Sequence, residues 1–162
     1  MDREGKLYLT VLLLFLMEIS FFAYFSPGFT PDLILALTIS SGILSEGSRG
    51  LAVGFSGGLL QDIFLGSVPG VYTVVKVLIG GVARIVGLNF FKKNLFLPPL
   101  ALFLLSFLHD LLSLLLVKNL SSAYIPLIKN TVLPQALHNT AAGLIIYLLI
   151  YYFTFSDEVY YG

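Results

Sequence analysis

The sequence predicts an all-α polytopic membrane protein with about six transmembrane helices in a single integral membrane domain, residues 1–162. Of its 162 residues, 57% are hydrophobic and only 11% are charged, whereas a soluble domain has about 25% charged residues. Apolar runs of about transmembrane length also recur from one end of the chain to the other, separated by short turn-rich segments. We therefore expect no separate soluble domain.

Glycine, proline and polar residues divide the chain into six candidate spans. The first follows the basic residues Arg3 and Lys6, but its apolar run exceeds the about 7–15 residues of a secretory signal, so we predict an uncleaved span. The second and third are short, with about 14 strongly apolar residues each, or about 21 Å of helix against a bilayer core of about 30 Å. Residues 29–66 therefore form either two spans or a re-entrant hairpin. The predicted spans are residues 7–25, 29–45, 51–66, 71–88, 95–117 and 136–155.

The distribution of lysine and arginine predicts that both termini are cytoplasmic, since cytoplasmic loops carry an excess of these residues. In this orientation the basic residues inside are Arg3, Lys6, Arg49, Lys92 and Lys93, and those outside are Lys118 and Lys129. The last outer connection contains residues 124–128, which we expect to lie as an amphipathic stretch on the membrane surface.

Composition also excludes several classes of function. Nine basic and nine acidic residues give a net charge of zero, which offers no long-range attraction for nucleic acid. The sequence contains no cysteine, so it has no disulfide, thiolate nucleophile or zinc-thiolate site. We expect no cofactor, and membrane lipid is the first expected partner.

Four glycines give the third predicted span, together with the residue before it, a helical face without side chains. Gly50, Gly54 and Gly58 recur at four-residue spacing, with Gly57 beside them. Such strips let helix backbones touch in lipid. The strip predicts internal helix packing or, as the alternative, a partner-binding face.

The same segment satisfies the pattern G-x-S-x-G of serine hydrolases, with Ser56 in the nucleophile position. The predicted topology argues against an intramembrane protease. Ser56 lies near the cytoplasmic side, and both histidines, His109 and His138, lie more than about 10 Å away in depth at about 1.5 Å per residue. Catalysis needs contact at about 3 Å. We therefore interpret Ser56 as a small packing residue and expect no catalytic site.

Ionisable residues inside the predicted spans form the second candidate site, because unpaired charges are costly in the membrane. Most fall in the outer half, while Arg84 lies toward the inside. Their arrangement predicts a buried polar cluster that fixes helix register, a ligand or proton pathway, or a face for another protein's polar groups. Within it we predict that Asp62 and Lys76 pair. The predicted cluster is Glu18, Asp62, Lys76, His109, Asp110 and His138.

A metal site is not expected within this predicted cluster. No two histidines lie four residues apart, and His109 and Asp110 are neighbours in sequence. Adjacent residues point in different directions on a helix, so they do not readily share one ion.

The order of motifs in residues 31–81 resembles the rod shape-determining MreD family. The segment holds Pro31-Asp32, then Gly54 to Asp62, which is similar to the pattern G-x-x-x-G-L-L-x-D. The turn Gly66 to Gly70 and the paired glycines Gly80-Gly81 follow, and Pro134 and Asn139 match in the last span.

This resemblance implies a non-enzymatic inner-membrane scaffold of the bacterial cell-wall elongation complex, involved in rod shape and peptidoglycan synthesis. The implied partners are MreC, RodA with its transpeptidase partner, and MreB. The family is similar in layout to the S components of energy-coupling transporters, so a small-molecule-binding transporter subunit is the alternative. Against this alternative, the first span has Leu12 to Leu16 where such components have a ladder of small residues.

Overall fold

The computed structural model is all-helical over the residues it describes, which confirms the predicted helical class. These residues are 3–22, 30–45, 47–66, 68–90, 97–117 and 124–159. The helices are α1 (Arg3–Met17, continued by a π-helical turn Glu18–Phe22), α2 (Leu33–Leu44), α3 (Arg49–Phe64), α4 (Val71–Phe90), α5 (Leu97–Val117), α6 (Tyr124–Leu127, continued by a π-helical turn Ile128–Val132) and α7 (Leu133–Val159).

Helix α2 is the centre of the fold. Every residue from Leu33 to Ile43 is buried, and α2 contacts α1, α3, α4, α5 and α7. Its 12 residues span only about 18 Å at about 1.5 Å per residue. A helix this short is tolerated within the membrane when protein surrounds it, because neighbouring helices can supply hydrogen-bond partners for the backbone groups at its ends.

Glycines bring the backbones of α2, α3 and α4 into direct contact. A Cβ atom on Gly50 would lie 2.6 Å from Gly42 Cα in α2, and one on Gly54 would lie 2.7 Å from the Lys76 carbonyl in α4. A Cβ on Gly58 would lie 2.6 Å from Thr73 Cα. The predicted glycine strip therefore packs inside this chain. The turn into α4 uses Gly70, whose φ of 88° also favours glycine.

Two apolar clusters lie on either side of α2. One joins α2 to α4, α5 and α7 through side chains that include Ile39, Ile79 and Leu102. The other joins α2 to α1 and α3 around Phe15 and Val53. Burial of both faces explains why α2 carries no charged side chain.

Within the described residues, three helices are long and apolar enough to cross a membrane: Val71–Asn89, Leu97–Val117 and Ile125–Tyr152. The third includes residues 125–128 of the predicted surface stretch, which is helical and runs directly into α7. The six-span count, the orientation and the choice between spans and hairpin for residues 29–66 remain predictions.

Candidate functional site

Polar side chains from five helices meet at one end of the bundle. They come from the end of α1, the start of α2, the end of α3, the second turn of α4 and the middle of α5. We call the connected set the polar network. Its members are Glu18, Asp32, Gln61, Lys76, His109 and Asp110.

Lys76 is the central cation of the polar network. Its side chain is fully buried, and Nζ forms an ion pair with Asp32 Oδ2. Nζ also lies 3.2 Å from His109 Nε2 and 5.3 Å from the centre of the Tyr72 ring, close enough for a cation–π contact. A buried ammonium group needs such partners because it has lost its water.

The hydrogen bonds assign the tautomer of His109. An ammonium group can only donate, so His109 Nε2 accepts from Lys76. The ring proton then lies on Nδ1, which donates to Asp110 Oδ1 at 2.9 Å. His109 is therefore a neutral link between Lys76 and Asp110.

Two carboxylates cap the N-terminus of α2. Asp32 Oδ1 accepts from the Leu35 amide at 2.7 Å, and Glu18 Oε2 accepts from the Leu33 amide at 3.1 Å. Gln61 Nε2 donates to Glu18 Oε1 at 2.7 Å and to Asp32 Oδ1 at 3.2 Å. These bonds satisfy backbone donors that a helix start leaves open, and they tie α1 and α3 to α2.

The predicted Asp62–Lys76 pair is wrong. Asp62 is buried, but its carboxylate accepts from the backbone amides of Tyr72 at 3.0 Å and Thr73 at 2.9 Å. Asp62 thus caps the N-terminus of α4, while Lys76 of the same helix pairs with Asp32. Backbone donors at the helix start satisfy the carboxylate without a cation.

The structure also corrects the prediction for His138. Its side chain is exposed on α7, and Nδ1 lies 2.8 Å from the Pro134 carbonyl oxygen. The next residue, Asn139, is fully buried, and its Oδ1 accepts from the Asp32 amide at 2.8 Å. Adjacent residues of a helix face different directions, so Asn139 occupies the inner position that we expected for His138.

The glycines and the hydroxyl of the G-x-S-x-G pattern have packing roles in the structure. Besides Gly50, Gly54 and Gly58, Gly57 faces the Ile34 side chain of α2, where a Cβ atom would collide. Ser56 Oγ donates to the Ala52 carbonyl oxygen of its own helix at 2.8 Å.

The predicted cluster left out three residues of this site, Asp32, Gln61 and Asn139, although Asp32 and Asn139 were among those that carry the MreD resemblance. A signal existed for Asp32, because Pro31-Asp32 before an apolar run is typical of a helix start. Gln61 and Asn139 carry no charge, so a search for ionisable residues could not find them. Their burial becomes visible only once the helices are packed.

A cavity of about 410 Å³ opens beside the polar network. We call it the polar cavity. Glu18, Asp32, Gln61, His109 and Asp110 all line it. Among the described residues, no group of three or more His, Cys, Asp or Glu side chains is arranged to hold a metal ion. The polar lining of the cavity offers hydrogen-bonding groups and carboxylates.

Long apolar helices, contacts between helix backbones at glycine and a buried polar network define the class of helical membrane proteins. A family model described as rod shape-determining protein MreD matches residues 6–156, and the chain belongs to the MreD family. Comparison with curated proteins and with solved structures gave no match. The family is one of shape-determining structural proteins.

Proposed function

We propose that this chain is a non-enzymatic, multi-pass scaffold in the bacterial inner membrane that serves the cell-wall elongation complex. The family match over residues 6–156 carries this proposal. The resemblance implies that the chain links MreC, RodA with its transpeptidase partner, and MreB filaments. Rod shape and peptidoglycan synthesis would then depend on the assembly that the chain holds together.

The packing of the chain supports a structural role. Buried polar side chains are used to cap helices and join them, as Asp62 does for α4 and Asp32 for α2. Ser56 is bonded to its own helix, which suits a packing residue. The MreD match favours the scaffold over the transporter-subunit alternative.

Replacement of the native protein in a rod-shaped bacterium tests the scaffold role. Cells depleted of their own MreD should become round, and expression of this chain should restore rods. Gly54→Leu should fail to restore them, because the side chain would collide with the α4 backbone. Gly81→Ala is the control, since among the described residues its Cβ would meet only Leu51 Cδ2 at 3.6 Å. Round cells that express the folded wild-type chain would contradict the proposal.

Affinity purification in mild detergent, followed by mass spectrometry, tests the partners. MreC or RodA should co-purify with the tagged wild-type chain and with Gly81→Ala. Recovery of a transporter ATPase instead would contradict the scaffold and support the substrate-binding alternative.

A further inference from the structure

The polar cavity has an excess of acidic groups. Its described lining residues include the carboxyl groups of Glu18, Asp32 and Asp110 but no lysine or arginine. Lys76, which is not a lining residue, neutralises Asp32. His109 is neutral because Nε2 accepts from Lys76 and Nδ1 donates to Asp110. Asp110 therefore faces the cavity without a cationic partner among the described residues.

Two buried acceptors at this cavity have no donor among the described residues. Gln61 is 2% exposed, and its Nε2 donates to two carboxylate oxygens, which fixes the unpartnered atom as the carbonyl oxygen Oε1. Asp110 Oδ2 is also buried and unpartnered, as is the hydroxyl of Ser113. All three residues line the polar cavity. Buried acceptors are costly when unpaired, so a ligand with hydrogen-bond donors would stabilise these atoms.

Apolar side chains complete the wall of the polar cavity. They are Leu65, Leu114, Val117 and Val132. A cavity of about 410 Å³ lies within the range of about 300–1,000 Å³ for small-ligand sites, which combine an apolar wall with a few placed polar groups. We propose that this cavity binds an alkylammonium group, whose N–H donors meet Gln61 and Asp110 while its carbon stem lies against the apolar wall.

This ligand chemistry has two sources, a free primary amine and the lysine side chain of another protein, which is itself a butylammonium group. The inference does not depend on the scaffold role, because it uses only the lining of the cavity. A metal ion is disfavoured, since the described acidic groups are not arranged around one point.

Thermal unfolding of the purified full chain in detergent tests the proposal with two probes. n-Butylammonium chloride should raise Tm in a saturable way, because a ligand that binds only the folded state stabilises it. Butyltrimethylammonium chloride has the same charge and stem but no N–H donor, and should leave Tm unchanged at equal ionic strength. No rise with n-butylammonium, or equal rises with both salts, would overturn the proposal and leave a cavity that holds water only.

Variants locate the site. Asp110→Asn keeps an oxygen that can accept from His109 but removes the charge, and should weaken n-butylammonium binding about tenfold or more. Ser113→Ala should weaken it about 2–10-fold, the range for one neutral hydrogen bond. Ser56→Ala is the matched control, because Ser56 lies outside this cavity and bonds to its own helix. Unchanged affinity of both Asp110→Asn and Ser113→Ala for n-butylammonium would overturn the assignment of this cavity as the binding site.

Two measurements distinguish the sources. A photo-crosslinking residue at Thr131, which is exposed and lines the cavity, should form a protein adduct in cells if a partner's lysine occupies the site. Native mass spectrometry should show a retained primary amine if the ligand is free. Finding neither in the chain isolated from membranes would overturn the proposal.

Discussion

The fully buried Lys76 and the partly buried Asp32 form an ion pair that joins the second turn of α4 to the N-cap of α2. Asp32 also caps α2 through the Leu35 amide, so a single carboxylate both starts the central helix and neutralises the central cation. Two neighbouring helices are thereby fixed in register at their N-terminal ends.

The first prediction concerns this ion pair. Lys76→Met should lower the free energy of unfolding, by up to about 3–5 kcal/mol, because the partly buried Asp32 is left without its cation. Asp32→Asn keeps an oxygen for the Leu35 amide while removing the charge. The double variant should therefore be more stable than Lys76→Met alone, as measured by thermal unfolding in detergent.

The control for the pair is Asp62→Asn combined with Lys76→Met. Asp62 caps α4, whereas Lys76 Nζ pairs with Asp32, so the two effects should add. If Asp62→Asn, but not Asp32→Asn, restored the stability of Lys76→Met, this result would contradict the observed pair and support the one predicted from the sequence.

The second prediction concerns the cap of α4. Asp62→Ala should cost about 0.5–2 kcal/mol, the typical value for a lost N-cap, and Asp62→Asn should cost less because one acceptor remains. Hydrogen exchange at the Tyr72 and Thr73 amides should accelerate in Asp62→Ala, since both amides donate to this carboxylate. Unchanged protection of both amides would show that the cap is dispensable.

Some of this architecture follows directly from the sequence. Long apolar runs predict the helices, and four-residue glycine spacing predicts backbone contact between them, because both signals are local and periodic. The polar network was partly visible, since Glu18, Lys76, His109 and Asp110 are ionisable residues in apolar surroundings.

The partners within the network could not be predicted in the same way. Depth along the helices places Asp62 near Lys76, but the choice between Asp62 and Asp32 depends on how three helices pack side by side. Asp62 accepts hydrogen bonds from the backbone amides of Tyr72 and Thr73. Every residue type except proline has such an amide, so the sequence does not show which amides will bind a carboxylate. The register of α7 likewise decides that Asn139, not His138, points inward.

The third prediction concerns the glycine contacts. Gly54→Ala should destabilise the protein by about 1–3 kcal/mol, the usual cost of overpacking, because its Cβ would lie 2.7 Å from a backbone oxygen that cannot easily move. Gly81→Ala lies in open packing and should be neutral or stabilising by up to about 1 kcal/mol, since alanine favours the helix. Equal thermal stability of the two variants would contradict close contact between α3 and α4.

The fourth prediction concerns orientation. The excess of lysine and arginine in the predicted inner segments places Ser48 and Asn94 on the cytoplasmic side and Ser122 outside. Asn94 and Ser122 lie outside the described residues, so this prediction depends on the sequence alone. Because the natural chain has no cysteine, each residue can be replaced singly by cysteine without a background signal.

In intact cells, an impermeant thiol reagent should label Ser122→Cys and spare Ser48→Cys and Asn94→Cys. Permeabilised cells provide the control for Ser48→Cys, whose position is exposed on the protein surface and should become reactive once the reagent can enter. Labelling of Ser48→Cys from outside intact cells would reverse the orientation. The polar network and the polar cavity would then lie on the cytoplasmic side, because they are at the opposite end of α3 from Ser48.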